Sequence, residues 1–216
     1  MYLRKIEEYR NEGRPIVYLD ETWIHPHYTV KKCWQSDEVS GVRTYDSPGE
    51  RLIIVHAGGS MGFIPGAALI FKANSKTGDY HSQMNASNFE KWLKEKLAVN
   101  LPFNSVVVMD NAPYHSVQTN RPPTMTSKKE DLIKWLEKNV KNSSFDSKMT
   151  KEELMMVIRR NKPEPIYSCD VILQNLGFSV LRLAPYHCDL SPIEYVWSLV
   201  KKRVACKNMD TNIKKL

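Results

Sequence analysis

Hydrophobic positions along this chain fall into two kinds of pattern, short β-branched runs and longer stretches with helical spacing. Ile16 to Leu19, Arg51 to Ala57, Ala67 to Phe71, Val106 to Met109 and Val180 to Leu183 are short and bounded by turn residues, which predicts strands, the first and fourth of them buried. Residues 1–13 read as a short charged helix ending near Gly13. After the third strand, Phe89, Trp92, Leu93 and Leu97 share one helical face behind a Ser87-x-x-Glu90 capping box, and Asn100 and Pro102 end that helix. Val171 to Leu176 predicts another helix, stopped by Gly177. The last runs from Pro192 to about Ala205, with Ile193, Val196, Trp197, Val200 and Val204 as its buried stripe.

The pattern changes between Asn120 and Pro165, where lysine and serine become frequent and proline marks both borders. Ser127-x-x-Glu130 precedes Leu132, Ile133, Leu136 and Val140, and Thr150-x-x-Glu153 precedes Leu154, Val157 and Ile158. Two helices forming a small subdomain inserted at 120–165 are expected. Eleven Lys or Arg stand there against seven Asp or Glu, a net +4.

Composition narrows the class without naming it. The 216 residues suffice for one substantial core, and 42% hydrophobic with 25% charged content is ordinary for a globular protein. A net charge of +7 and a pI near 9.1 suit a polyanionic partner, although many proteins are modestly basic. No apolar run approaches the ~18 residues of a membrane span, and the charged first residues do not form a secretory signal. Cys33, Cys169, Cys188 and Cys206 lack zinc or redox spacing and read as reduced thiols of an intracellular protein, nuclear if the source is eukaryotic. His25-Pro26-His27 has no matching cysteine or carboxylate and reads as a polar loop.

Candidate chemistry rests on three carboxylates. Asp20 follows the first buried run and Asp110 the fourth, so each is expected at the carboxyl end of a strand, where α/β sheets place their ligand crevices. Glu194 stands in the first turn of the last helix. Each has a plainer reading: aspartate often ends a strand, and Ser191-Pro192-Ile193-Glu194 is itself a capping box with proline at the first helical position.

The words around these residues are more specific than the residues. Asp20-Glu21-Thr22, Asp110-Asn111-Ala112-Pro113-Tyr114-His115 and Asp189-Leu190-Ser191-Pro192-Ile193-Glu194-Tyr195-Val196-Trp197, in that order and framing about residues 14–206, resemble the catalytic domain of mariner-like DDE transposases. The resemblance implies an α/β fold: a ribonuclease-H-like mixed sheet flanked by helices, here with a small helical insertion before the last strand. It implies a catalytic domain over 14–216, interrupted at 120–165, behind the helix of residues 1–13. It also implies that Asp20, Asp110 and Glu194 are catalytic and bind metal, two Mg²⁺ or Mn²⁺ ions, for phosphodiester cleavage and strand transfer on DNA. Glu21 and Asp189 are neighbouring carboxylates outside the motif slots.

Nucleic-acid contacts are expected from Asn111, His115, Lys128, Lys129, Lys201, Lys202 and Arg203, with support of the metal-binding side chains by Asn111 and His115, packing of the Asn-Ala-Pro turn and a solvated helix end left open as alternatives. DNA is the expected partner, and a homodimer is compatible with the family. The 84 positions separating Asp110 from Glu194 exceed the spacing of compact members. Such transposases also carry helix-turn-helix modules ahead of the catalytic domain, whereas one short helix precedes Asp20, so specific recognition of transposon ends is expected to be missing or supplied elsewhere. A catalytically inactive, transposase-derived nucleic-acid-binding protein is the alternative reading. A ribonuclease acting on RNA–DNA hybrids is a third.

Overall fold

A computed structural model describes residues 1–25, 51–73, 83–140 and 145–208. Cys33, together with Pro26 and His27 of the polar loop, lies outside the described residues. Two compact units emerge, one made of Met1–Ser116 with Cys169–Leu216, the other of Val117–Ser168.

The larger unit is built on a six-stranded mixed sheet. Its strands are β1 (Ile16–Ile24), β2 (Leu52–Gly59), β3 (Gly62–Phe63), β4 (Leu69–Lys72), β5 (Val106–Met109) and β6 (Ser179–Arg182), in the order β3-β2-β1-β5-β6 with β4 also pairing β2. β1, β5 and β6 run parallel, and β1 to β4 form an antiparallel meander. Every residue of β5 is buried, as a parallel strand covered on both faces requires. At the close pairing of β2 with β1, a Cβ on Gly59 would lie 2.3 Å from the Ile16 carbonyl oxygen, so only glycine fits there.

Strand alternation sorts the core into two layers. Val17, Leu19, Val55, Val107 and Met109 face α2 (Ala86–Trp92), its π-helical continuation Leu93–Leu97, and α5 (Ser168–Asn175), meeting Phe89, Trp92 and Leu173. Tyr18, Val106, Val108 and Leu181 face the other way, onto Tyr2 and Ile6 of α1 (Tyr2–Asn11) and Ile193 and Trp197 of α6 (Pro192–Lys207). Gly177, at φ +86°, lets the chain leave α5 for β6.

Two expected caps are displaced. Asn85, not Ser87, caps α2 by accepting the Asn88 N–H at 2.9 Å, and the ordered backbone ahead of Ser87 adds a turn's start. α3 (Lys129–Asn139) begins behind Lys128 with no side-chain cap, because the Ser127 hydroxyl accepts the Thr124 N–H instead. The third forms as expected, with Thr150 and Glu153 closing a reciprocal capping box at α4 (Lys151–Arg160).

α3 and α4 give the smaller unit its own core of Leu132, Leu136, Leu154, Met155 and Ile158. Its two ends are tied by backbone hydrogen bonds from Thr119 N–H to Ile166 O and from Ser168 N–H to Val117 O, both 2.9 Å. None of the described helices is long and apolar enough to cross a membrane.

Candidate active site

β1 continues past Asp20 to Ile24, so Asp20 lies in mid-strand rather than at a strand end. Among the described residues the extension pairs with β2, Asp20 with His56 and Thr22 with Ile54, while the parallel pairing to β5 spans Ile16 to Tyr18. Asp20 therefore stands just beyond the parallel part of the sheet. Asp110 directly follows the last residue of β5, Met109, and its charge reaches Asp20 on the neighbouring strand. Alternation puts Asp20 on the face of Tyr18, the face covered by α6. Glu194 occupies the first turn of that helix, exposed.

Electrostatics tie the three together. Burial, followed by repulsion from Glu21, Glu194 and Asp110, pushes the Asp20 carboxyl up to about 8, against a single backbone hydrogen bond that favours its charge. Four carboxylates thus share one end of the sheet, with Asp20 the most frustrated of them. Among the described residues no three of His, Cys, Asp or Glu close into a chelating group. The triad shares a field without converging on one point.

Glu194 has no competing duty as a cap, since the Ser191 side chain makes no capping hydrogen bond and the expected box is absent. Only the Glu194 N–H reaches Ser191, through its carbonyl oxygen at 3.2 Å.

Asp110 is held by its own loop. Its Oδ1 accepts the Ala112 N–H at 3.1 Å and faces His115 Nδ1 at 2.5 Å. His115 is completely buried, packed 4.1 Å from the Phe89 ring, and its Nε2 lies 3.0 Å from Glu21 Oε1. Tyr114 donates its hydroxyl to Glu21 Oε2 at 3.2 Å. Burial opposes a charged imidazole, but its hydrogen bonds to Asp110 and Glu21 outweigh it and raise His115 to about 9. Burial likewise works against the Asp110 charge, and the His115 hydrogen bond overrides it, so Asp110 stays below the usual carboxylate range.

These contacts correct the expectation that His115 touches nucleic acid: with no exposed surface and both ring nitrogens engaged, it has nothing left for a phosphate. Asn111 is exposed but uses its amide to donate to Leu183 O at 2.8 Å, tying the chain after β5 to the chain after β6. Lys128, Lys202 and Arg203 are exposed and Lys129 is half-buried; Lys201 lies over the Trp23 ring at 5.3 Å. Asp189 is exposed, 3.6 Å from His187.

Sequence reasoning missed Arg182. Its guanidinium pairs with Asp170 at 2.7 Å and donates to His115 O at 2.8 Å and Ser116 Oγ at 3.1 Å, fastening the Asp110 loop to β6 and α5. A lone arginine in a β-branched run was the only signal for it.

Residues 15–216 match the DDE superfamily endonuclease family. Among solved structures the chain resembles the Mos1 transposase paired-end complex with left transposon end (TM-score 0.53, 16% identity, 94% of this chain and 46% of that chain). It is also similar to a pre-cleavage Mos1 transpososome (0.52, 16%, 96% and 48%) and to the mariner Mos1 paired end complex with Mg (0.52, 16%, 98% and 49%). The fold is accordingly the ribonuclease-H-like α/β fold of those structures, and the chain spans about half the length of the chains it matches. No curated protein matches in sequence.

Proposed function

The chain belongs to the DDE superfamily endonucleases, and on that footing we propose that it is the catalytic domain of a transposase, hydrolysing a phosphodiester at a transposon end and passing the freed 3′ hydroxyl to target DNA. The observation that carries this reading is the state of Asp20, a carboxylate driven to about 8 by burial and by the charges of Glu21, Glu194 and Asp110. Such a cluster is costly unless cations balance it. Three carboxylates make an all-oxygen donor set of the kind Mg²⁺ and Mn²⁺ accept.

Asp20, Asp110 and Glu194 would hold divalent ions, which would supply charge neutralisation on the attacking and leaving oxygens. The side chains' own work is separable from that. Asp20, whose carboxyl is pushed up to about 8, would have to be deprotonated to serve as a ligand. Asp110 stays ionised because His115 and the Ala112 N–H stabilise its charge. Glu194, uncommitted as a cap, is free to orient a water, and no covalent protein intermediate is required.

The test is a nicking assay with Mg²⁺ or Mn²⁺ on transposon-like DNA and on RNA–DNA hybrids, with Asp110→Asn alongside. Metal-dependent DNA nicking that Asp110→Asn loses supports the reading; preference for hybrids would point to a ribonuclease, and DNA binding without cleavage to a transposase-derived binding protein.

DNA itself would be met by basic side chains. Neutralising Lys128, Lys129, Lys134 and Lys138 together is expected to weaken nonspecific binding, for which Kd values of roughly 10⁻⁴ to 10⁻⁶ M are usual, and to flatten its salt dependence. A salt slope equal to that of the parent protein would leave these lysines a solvating role.

A further inference from the structure

Glu21 is buried beside Asp20 in sequence yet on the opposite face of β1, and its two oxygens are both engaged, Oε1 with His115 Nε2 at 3.0 Å and Oε2 with the Tyr114 hydroxyl at 3.2 Å. The same imidazole reaches Asp110 Oδ1 through Nδ1. One ring thus links two carboxylates brought by β1 and by the loop after β5. Phe89 packs against that ring and His115 has no exposed surface, which fixes its plane and excludes water from its hydrogen bonds.

The Asp110 carboxylate is consequently oriented from one side. Oδ1 takes both the His115 and the Ala112 hydrogen bonds, and Oδ2 takes neither, while the side chain remains half exposed. Within the proposed function on which this rests, we infer that Glu21 and His115 form a clamp that turns Asp110 so that Oδ2 is presented to a divalent cation. They are positioning residues, acting through Asp110 without touching substrate or metal. Glu21 anchors the ring, Tyr114 anchors Glu21, and Oδ1 is held back as the fixed end of the carboxylate.

Groups that orient a metal-binding side chain typically change metal affinity by about 10- to 100-fold when altered. The experiment measures Mn²⁺ binding by calorimetry and the Mg²⁺ concentration for half-maximal DNA nicking, on the parent protein, Glu21→Gln, His115→Phe and Asp110→Asn, with melting temperature in EDTA recorded for each. Glu21→Gln keeps the shape and an acceptor for the ring while removing the charge that anchors it. Its Mn²⁺ affinity is expected to fall by about tenfold and its Mg²⁺ requirement to rise in parallel, with nicking at saturating Mg²⁺ largely restored. His115→Phe, which retains the packing on Phe89, is expected to lose about 100-fold.

Unchanged Mn²⁺ affinity in Glu21→Gln overturns the clamp, even where its melting temperature falls, since that combination describes a purely structural ion pair. Should His115→Phe not fold, the Glu21→Gln result decides alone. Asp110→Asn separates the two layers: loss of Mn²⁺ binding there with none in Glu21→Gln removes only the clamp, whereas parent-like binding and nicking in Asp110→Asn removes the metal site at Asp110 and the clamp with it.

Discussion

Asp110→Asn is expected to lower Mg²⁺-dependent nicking of DNA by about a thousandfold or more, and Asp20→Asn and Glu194→Gln by similar factors. A thousandfold is about 4 kcal/mol of transition-state stabilisation, the scale expected when one anionic oxygen is removed from a metal site. The three exchanges keep side-chain shape, so folding is not what they test. Asparagine at 110 retains an oxygen able to accept from the Ala112 N–H and from His115, the contacts that hold the loop. Glutamine at 194 disturbs no cap, because Ser191 forms none, and removes only a helix-dipole contribution of roughly 0.3–1 kcal/mol. Melting temperatures near that of the parent beside lost nicking would therefore locate the defect in chemistry. Full nicking by any one of the three would move the site elsewhere, and a fall in melting temperature confined to Glu194→Gln would restore the capping role.

The elements were legible where a local pattern sufficed. Val106 to Met109 announced a buried strand because four apolar residues stand between turn residues, and all four are buried. Leu132, Leu136, Leu154 and Ile158 announced two helices by spacing alone, and they meet in one small core. β1 was legible only in its first half, since its continuation through Glu21 and Thr22 carries polar residues whose strand conformation is imposed by pairing with Val55 and Ile54. The caps show the same limit: Asn85 and Ser87 are both good cap residues two positions apart, and the packing of Phe89 and Trp92 in the core decides between them.

At the site, the three motif words named Asp20, Asp110 and Glu194; the structure carries them on β1, on the loop after β5 and on α6, a topology one-dimensional patterns do not contain. For His115 the sequence left support of a metal-binding carboxylate and contact with phosphate both open, because its partners are invisible locally. A histidine five positions after an aspartate suits a phosphate as well as a carboxylate, and what removes the choice is Glu21, brought by another strand to the far side of the ring. Arg182 was missed for the same reason, its value lying in the Asp110 loop and Asp170 that it joins.

Stability should record the strain on Asp20 directly. Its carboxyl titrates at about 8 in the folded protein against an ordinary 3.8, so between those values the folded state keeps a proton that the unfolded chain releases. Stability that is complete below pH 4 is then lost as pH rises through 8, at up to about 1.4 kcal/mol per pH unit. His115, raised from 6.5 to about 9, has the same sign over a later window: its contribution is complete below 6.5 and lost as pH rises through 9. Asp110, held below its ordinary range, loses its contribution only on acidification, outside both windows. Asp20→Asn removes the first slope and leaves the second. Its melting temperature in EDTA is expected to rise above the parent's progressively between pH 5 and 8, by roughly 10 °C at pH 8, since a chain of this size gains roughly 2–4 °C per kcal/mol. Mg²⁺ competes with the same proton, so it should stabilise the parent more at pH 8 than at pH 5 and leave Asp20→Asn nearly unmoved. A difference between the two proteins that stays constant with pH, or a Mg²⁺ stabilisation of equal size at pH 5 and 8, would mean that Asp20 is not the carboxylate where proton and metal exchange.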